Sequence, residues 1–159
     1  MHRRQFLATS ALGLAALRLA QFAYAGDAAS APLALPDALK DNPLLDFSGL
    51  PRFSAFTPAD VEPAIDFLIA HNREQVAKIA AVAAPDWDNF FAPLSDAADK
   101  LARAWSVVVH LNSVKSSDAL REAHDAALAK MTDYSTWLGQ HEALYQGFVK
   151  LKEAAAFAA

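Results

Sequence analysis

The sharpest chemical signal in the sequence is His141-Glu142. A helix carrying His-Glu with a second His four residues after the first can grip zinc between two imidazoles one turn apart, while the Glu acts as general base for the metal-bound water. The residue at that fourth position is Tyr145, and with one imidazole the grip fails. His71, His110 and His124 are too widely spaced to supply the missing ligand. The expectation is therefore a chain with no metal site and no catalytic residue of its own. Ser, His and Asp provide the inventory of a hydrolase triad, but no Gly-x-Ser-x-Gly elbow and no Gly-rich phosphate loop accompanies them. There is no Cys, which removes disulfides, thiol catalysis and thiolate-bound zinc in any compartment.

A second polar cluster, His110-Leu111-Asn112-Ser113-Val114-Lys115, has two readings. As a break between helices it would offer His110, Asn112 and Lys115 to the backbone or carboxylate of a peptide along a channel wall. Turn chemistry alone also accounts for Asn112 and Ser113, which end one helix and send the chain toward the next. Trp87, Trp105, Trp137, Tyr134 and Tyr145 lie within apolar helical patterns and are expected in the core rather than on a stacking surface.

The elements that carry these residues are helical. A length of 159 residues is that of one domain with room for a real core. An apolar content of 54%, dominated by Ala, with only five Gly, favours helices over disorder. The fold expected is all-α, an antiparallel bundle of about four helices preceded by a signal peptide and an extended segment. Thr57, Pro58, Asp60 and Glu62 announce a first helix over about 58–83, with Val61, Ile65, Leu68, Ile69, Val76 and Ile79 on its buried face and Pro63 as a source of kinking. A second helix is expected from Trp87 to Val109 behind an Asp86 cap, with Phe90, Phe91, Leu94, Leu101, Trp105, Val108 and Val109 inward. After a break at 110–116, Ser117 caps a third that reaches Leu138. Beyond Gly139, Leu144, Phe148 and Leu151 mark a last helix, expected to leave apolar area uncovered. Ahead of the helices, Leu44, Leu45, Phe47, Leu50, Phe53 and Phe56 are too many for a free tail and are expected to cover part of the core.

The first 25 residues read as an address. Arg3-Arg4 followed by Phe6 and Leu7 is similar to a twin-arginine export motif, and Ala23 and Ala25 supply the small residues a signal peptidase requires. Arg18 interrupts the apolar run before it reaches the roughly 20 residues of a membrane span, so no stable anchor is expected after cleavage. The expected destination is the periplasm. Removing Arg3, Arg4 and Arg18 moves the formal charge from −4 to −7, and an acidic chain without a basic stripe is a poor partner for nucleic acid. Residues 26–41, rich in Ala, Pro and Asp, read as a linker to a helical domain over 42–159.

Four stretches add a resemblance: Asn42-Pro43-Leu44-Leu45, Leu50-Pro51-Arg52-Phe53-Ser54, His110 through Lys115, and Tyr134 through Glu142. Together they resemble the N-terminal helical region of the thimet-oligopeptidase-like zinc metallopeptidases, nearest the oligopeptidase A branch. The resemblance implies a module of a longer enzyme that cuts short peptides within a channel between two helical halves. Its zinc would lie on a later His-Glu-x-x-His helix, so the partners implied are the catalytic region of the parent peptidase and, in the whole enzyme, short peptides. This chain is then expected to be cut short and inactive alone. The alternative is a free-standing, exported helical module that binds peptides or proteins without catalysis.

Overall fold

The computed structural model describes residues 33–154. The export motif at Arg3, Arg4, Phe6 and Leu7, the cleavage residues Ala23 and Ala25, and Phe157 lie outside the described residues. Among those described, all regular structure is helical: α1 Val61–Ala80, α2 Ala92–Val114, α3 Asp118–Gly139 and α4 Glu142–Glu153. Short 3-10 turns stand at Asp37–Leu39, Pro43–Leu45 and Pro58–Asp60, and a π-type turn at Trp87–Phe91 leads into α2.

The caps explain the boundaries. Thr57 donates both its N–H and its hydroxyl to the Asp60 carboxylate at 2.7 Å, fixing the entry to α1. Pro63 falls in the first turn, where its missing N–H takes nothing from the helical ladder; the expected kink has no cause. Before α2, Asp86 accepts from the Asn89 N–H at 2.8 Å and Asn89 Oδ1 accepts from the Asp86 N–H at 2.9 Å. The widened turn that follows accommodates Pro93, whose ring would press on the carbonyl four residues back in a regular helix. Ser117 Oγ accepts from the Leu120 N–H and caps α3.

Helix α2 runs five residues beyond Val109, so the break expected at 110–116 shrinks to Lys115–Ser117. Buried Leu111 anchors the added turn, and Ser113 finds an acceptor inside the helix, its Oγ donating to the Val109 carbonyl at 2.9 Å.

α1 is the centre of the packing. It touches each of the other three helices, and Val61, Ala64, Ile65, Leu68, Val76 and Ile79 are buried along it. Asn72 sits among them, 1% exposed, and its Nδ2 donates to the Ala97 carbonyl of α2 at 3.0 Å; its Oδ1 has no partner in hydrogen-bond geometry. Asn72 meets Ala97 while Val76 and Ile79 meet Phe90, so α1 and α2 are antiparallel. Lys130 of α3 pairs with Asp66, and Arg73 lies over Trp137, so α1 and α3 run parallel, as alternate members of an up-down bundle.

α4 closes one end. Its Leu144 and Leu151 are buried with Val76, Ile79 and Phe90, which corrects the expectation that these residues lack partners; Phe148 is the half-covered member. Other placements also differ. Leu44 and Leu45 do cover the core, but Leu50 is 91% exposed and Phe53 46%. Trp87 and Tyr145 lie on the surface rather than inside, and Val109 and Leu128 are exposed as well.

The end cap depends on Gly147. A Cβ there would stand 2.2 Å from Cε2 and 2.4 Å from Cζ of Phe90, a fully buried ring held edge-on by Phe148 at 5.0 Å. Gly147→Ala should therefore cost about 1–3 kcal/mol through overpacking, outweighing the ~1 kcal/mol that Ala contributes to a helix. Thermal or urea unfolding checks this, and an unchanged midpoint would show that the Phe90 ring can move aside.

His71 gives α1 an acid sensitivity. It stacks on Phe67, and burial, followed by the charge of Lys100, holds its pKa below the usual value, against the opposing pull of Glu74 and Asp96. A lowered folded pKa favours the neutral ring, so its contribution is present above about pH 6.5 and is lost as pH falls through the folded value. Between pH 8 and pH 5, His71→Gln should lose less of its unfolding midpoint than the parent chain; equal losses would remove His71 as a cause.

Candidate functional site

Three surface features could meet a ligand or partner. The first joins two stretches far apart in sequence. Residues 46–56 cross α2 as an irregular segment braced from within: the Ser48 hydroxyl and N–H donate to Asp46 Oδ1 at 2.6 and 3.1 Å, and Arg52 Nε pairs with Asp46 Oδ2 at 3.0 Å. The Ser48 hydroxyl, then its amide, and then Arg52 and Arg103 hold the Asp46 carboxyl below its usual pKa. Arg103 of α2 donates to the Gly49 carbonyl and lies over the Phe47 ring at 5.8 Å. Two turns along the helix, the Phe53 ring meets His110 at 5.7 Å.

His110, Asn112 and Lys115 do not converge. His110 and Asn112 are two residues apart on a regular helix and point about 200° apart around its axis. His110 is exposed beneath Phe53, Asn112 is half-buried with Oδ1 accepting from Ser116 at 3.5 Å, and Lys115 is the exposed C-cap. Val114, one turn beyond His110, shares its face and is 65% exposed.

The second feature is a groove of about 560 Å³ between the starts of α1 and α3. Ala119, Ala123 and Ala126 form one side, and Glu62, Asp66 and Glu122 line it. Lys130 reaches Asp66 at 2.8 Å and Glu62 at 4.0 Å. Because α1 and α3 are parallel, two positive helix ends lie side by side here, and carboxylates offset them.

The third is an aromatic cluster near the start of α4. Arg73 lies over the Trp137 ring at 4.3 Å and the Tyr134 ring at 5.9 Å. Burial raises the Tyr134 pKa, with the Asn72 amide and Arg73 pulling it back. His141 meets Trp137 edge-on at 5.1 Å and caps α4, its Nδ1 accepting from the Leu144 N–H at 3.2 Å.

These placements test the donor set for zinc, and it does not fit. His141 precedes α4 and spends Nδ1 on the cap, with Tyr145 one turn on. His71 packs on Phe67, His110 beside Phe53 and His124 on Trp105 with Nδ1 at Asp125, each on a different part of the fold. Among the described residues no three His, Asp or Glu side chains gather. Sequence reasoning missed Arg103, whose partner lies 54 residues away, and the capping role of His141. Neither has a local signal, since an Arg in an amphipathic helix and a His at a helix start both read as solvated groups.

Comparison with known proteins places this geometry. Residues 65–159 match the profile of the neurolysin/thimet oligopeptidase N-terminal domain. Oligopeptidase A of Haemophilus influenzae is 45% identical over 117 residues, 74% of this chain and 17% of that protein. Oligopeptidase A of Escherichia coli is 44% identical over 113 residues, 70% of this chain and again 17% of the relative. An organellar oligopeptidase A of Arabidopsis thaliana is 27% identical over 118 residues. The chain thus spans about a sixth of the bacterial relatives. No solved structure gives a significant match. With residues 65–159 matched by the family profile and 74% of the chain aligned to a relative at 45% identity, the chain belongs to the family of the neurolysin/thimet oligopeptidase N-terminal domain.

Proposed function

We propose that this chain is the N-terminal helical module of an exported, zinc-dependent oligopeptidase that hydrolyses short peptides. In this reading the module forms part of the wall that restricts entry to the substrate channel, and the remainder of the enzyme holds the metal and the catalytic residues. The observation that carries it is the 45% identity to an oligopeptidase A, confined to 17% of that protein's length. The sequence supports the division of labour, because Tyr145 stands where a second imidazole would have to follow His141-Glu142. What this chain would contribute is an acidic helical surface.

Two measurements test the reading. The purified 159-residue chain should neither retain stoichiometric zinc through dialysis nor cleave short peptides; retained zinc with chelator-sensitive cleavage would place the chemistry in this chain. The export half rests on Arg3 and Arg4, whose guanidinium geometry Lys does not reproduce. Changing both to Lys should leave the protein in the cytoplasm with residues 1–25 still attached. Normal cleavage and export of that variant would remove the twin-arginine route.

A further inference from the structure

Of the eight exposed large apolar residues described, four, Leu50, Phe53, Val109 and Val114, belong to two pieces of chain, the 46–56 segment and the last turns of α2, and Phe53 joins these pieces by its contact with His110. The helix geometry makes the arrangement plain. Arg103, Val107, His110 and Val114 follow one stripe of α2, spaced by four, three and four residues. The 46–56 segment is tied to Arg103 at one point and to His110 at another. Val107, between them on the stripe, is buried. Past His110 the stripe continues uncovered as Val114, and on the outer side of the segment Leu50 points almost wholly into solvent.

Nothing within the described fold uses this face. The segment keeps its shape through Asp46, Ser48, Arg52 and Arg103, so Leu50 contributes nothing visible to holding it. A Leu fixed outward on a braced segment, beside an uncovered Val and a half-covered Phe, is the pattern of a contact surface rather than of a misplaced core.

We infer that Leu50, Phe53 and Val114 form the surface on which this module docks against the remainder of the oligopeptidase polypeptide. This rests on the reading of the chain as an oligopeptidase module. The occupant is argued from length: bacterial relatives extend over roughly six times the matched stretch, and that polypeptide must pack somewhere on the module. The surface also has a sign. Lys115 adjoins Val114 at the helix end, and Asp46, the acid of the segment, is already bonded to Ser48 and Arg52. The docking face is therefore apolar with a carboxylate opposite Lys115.

The test uses Escherichia coli oligopeptidase A with its matched stretch replaced by residues 42–154 of this chain, beside the 159-residue chain itself. Leu50→Asp and Val114→Lys are made separately in both, because each position is exposed and neither change should shift the unfolding midpoint of the chain alone. In the chimaera each should lower the midpoint by several degrees, and amides 47–55 should exchange about tenfold or more slowly than in the chain alone. Equal exchange in the two settings, or substitutions that leave the chimaera as stable as its parent, would overturn the docking surface. An unsubstituted chimaera that is protected at 47–55 yet cleaves no peptide would instead count against the proposed function and leave the surface standing. A concentration-dependent dimer of the 159-residue chain, abolished by Leu50→Asp, would overturn the inference in favour of a second copy as the occupant.

Discussion

Helix α1 must satisfy three neighbours at once, and that constraint shapes the chain. Val61, Ala64, Ile65, Leu68, Val76 and Ile79 form one buried stripe about 120° wide, each large residue contributing roughly 1.5–3 kcal/mol. A wholly apolar helix would leave its rotation and register against α2 weakly defined. Asn72 supplies the definition, because its Nδ2 donates to the Ala97 carbonyl, and a buried amide taken away from its acceptor carries a desolvation cost. From that register follow the placement of Phe90 under α4 and of Arg103 under the 46–56 segment.

α4 depends on the same register at one remove. It is short, and its attachment is a small cluster of Leu144, Leu151 and the Phe90 ring, with Gly147 brought against the Cε2–Cζ edge of the ring. The close approach substitutes for length: removing a side chain lets helix and ring meet without a gap, and tight contact is where dispersion attraction is collected. The parallel pairing of α1 and α3 has the opposite character. It sets like helix ends together, and the carboxylates at Glu62, Asp66 and Glu122 with the Lys130 bridge are consistent with managing that field.

Much of this was legible in the residues, and the rest failed for definable reasons. The starts of the helices were readable because caps are local: Thr57 with Asp60, Asp86 with Asn89, and Ser117 each act within four residues. The end of α2 was misread because Asn112 and Ser113 favour turns on average, whereas here the Ser113 hydroxyl bonds back into the helix and Leu111 holds the turn down. Leu144 and Leu151 read as unpartnered because their partners Val76, Ile79 and Phe90 lie on elements far back in the sequence, and no local pattern links the last helix to them. Trp87, Tyr145 and Leu50 were placed inside because hydropathy ranks residue types and says nothing of which face a given copy occupies. For the candidate site, the grouping of His110 with Asn112 and Lys115 assumed a loop, and a regular helix turns the two neighbours away.

The internal bracing of residues 46–56 bears on entropy. A loop that must freeze on meeting its neighbour surrenders about 1–2 kcal/mol of backbone freedom for every residue fixed, which would consume much of what a small apolar contact returns. Here the Asp46 carboxylate has already gathered Ser48 and Arg52 around it, and the Gly49 carbonyl is already tied to Arg103. That loss is charged to folding rather than to association, where many other contacts share it. A hydrophobic surface of only a few side chains can then bind firmly, because it arrives with its shape decided.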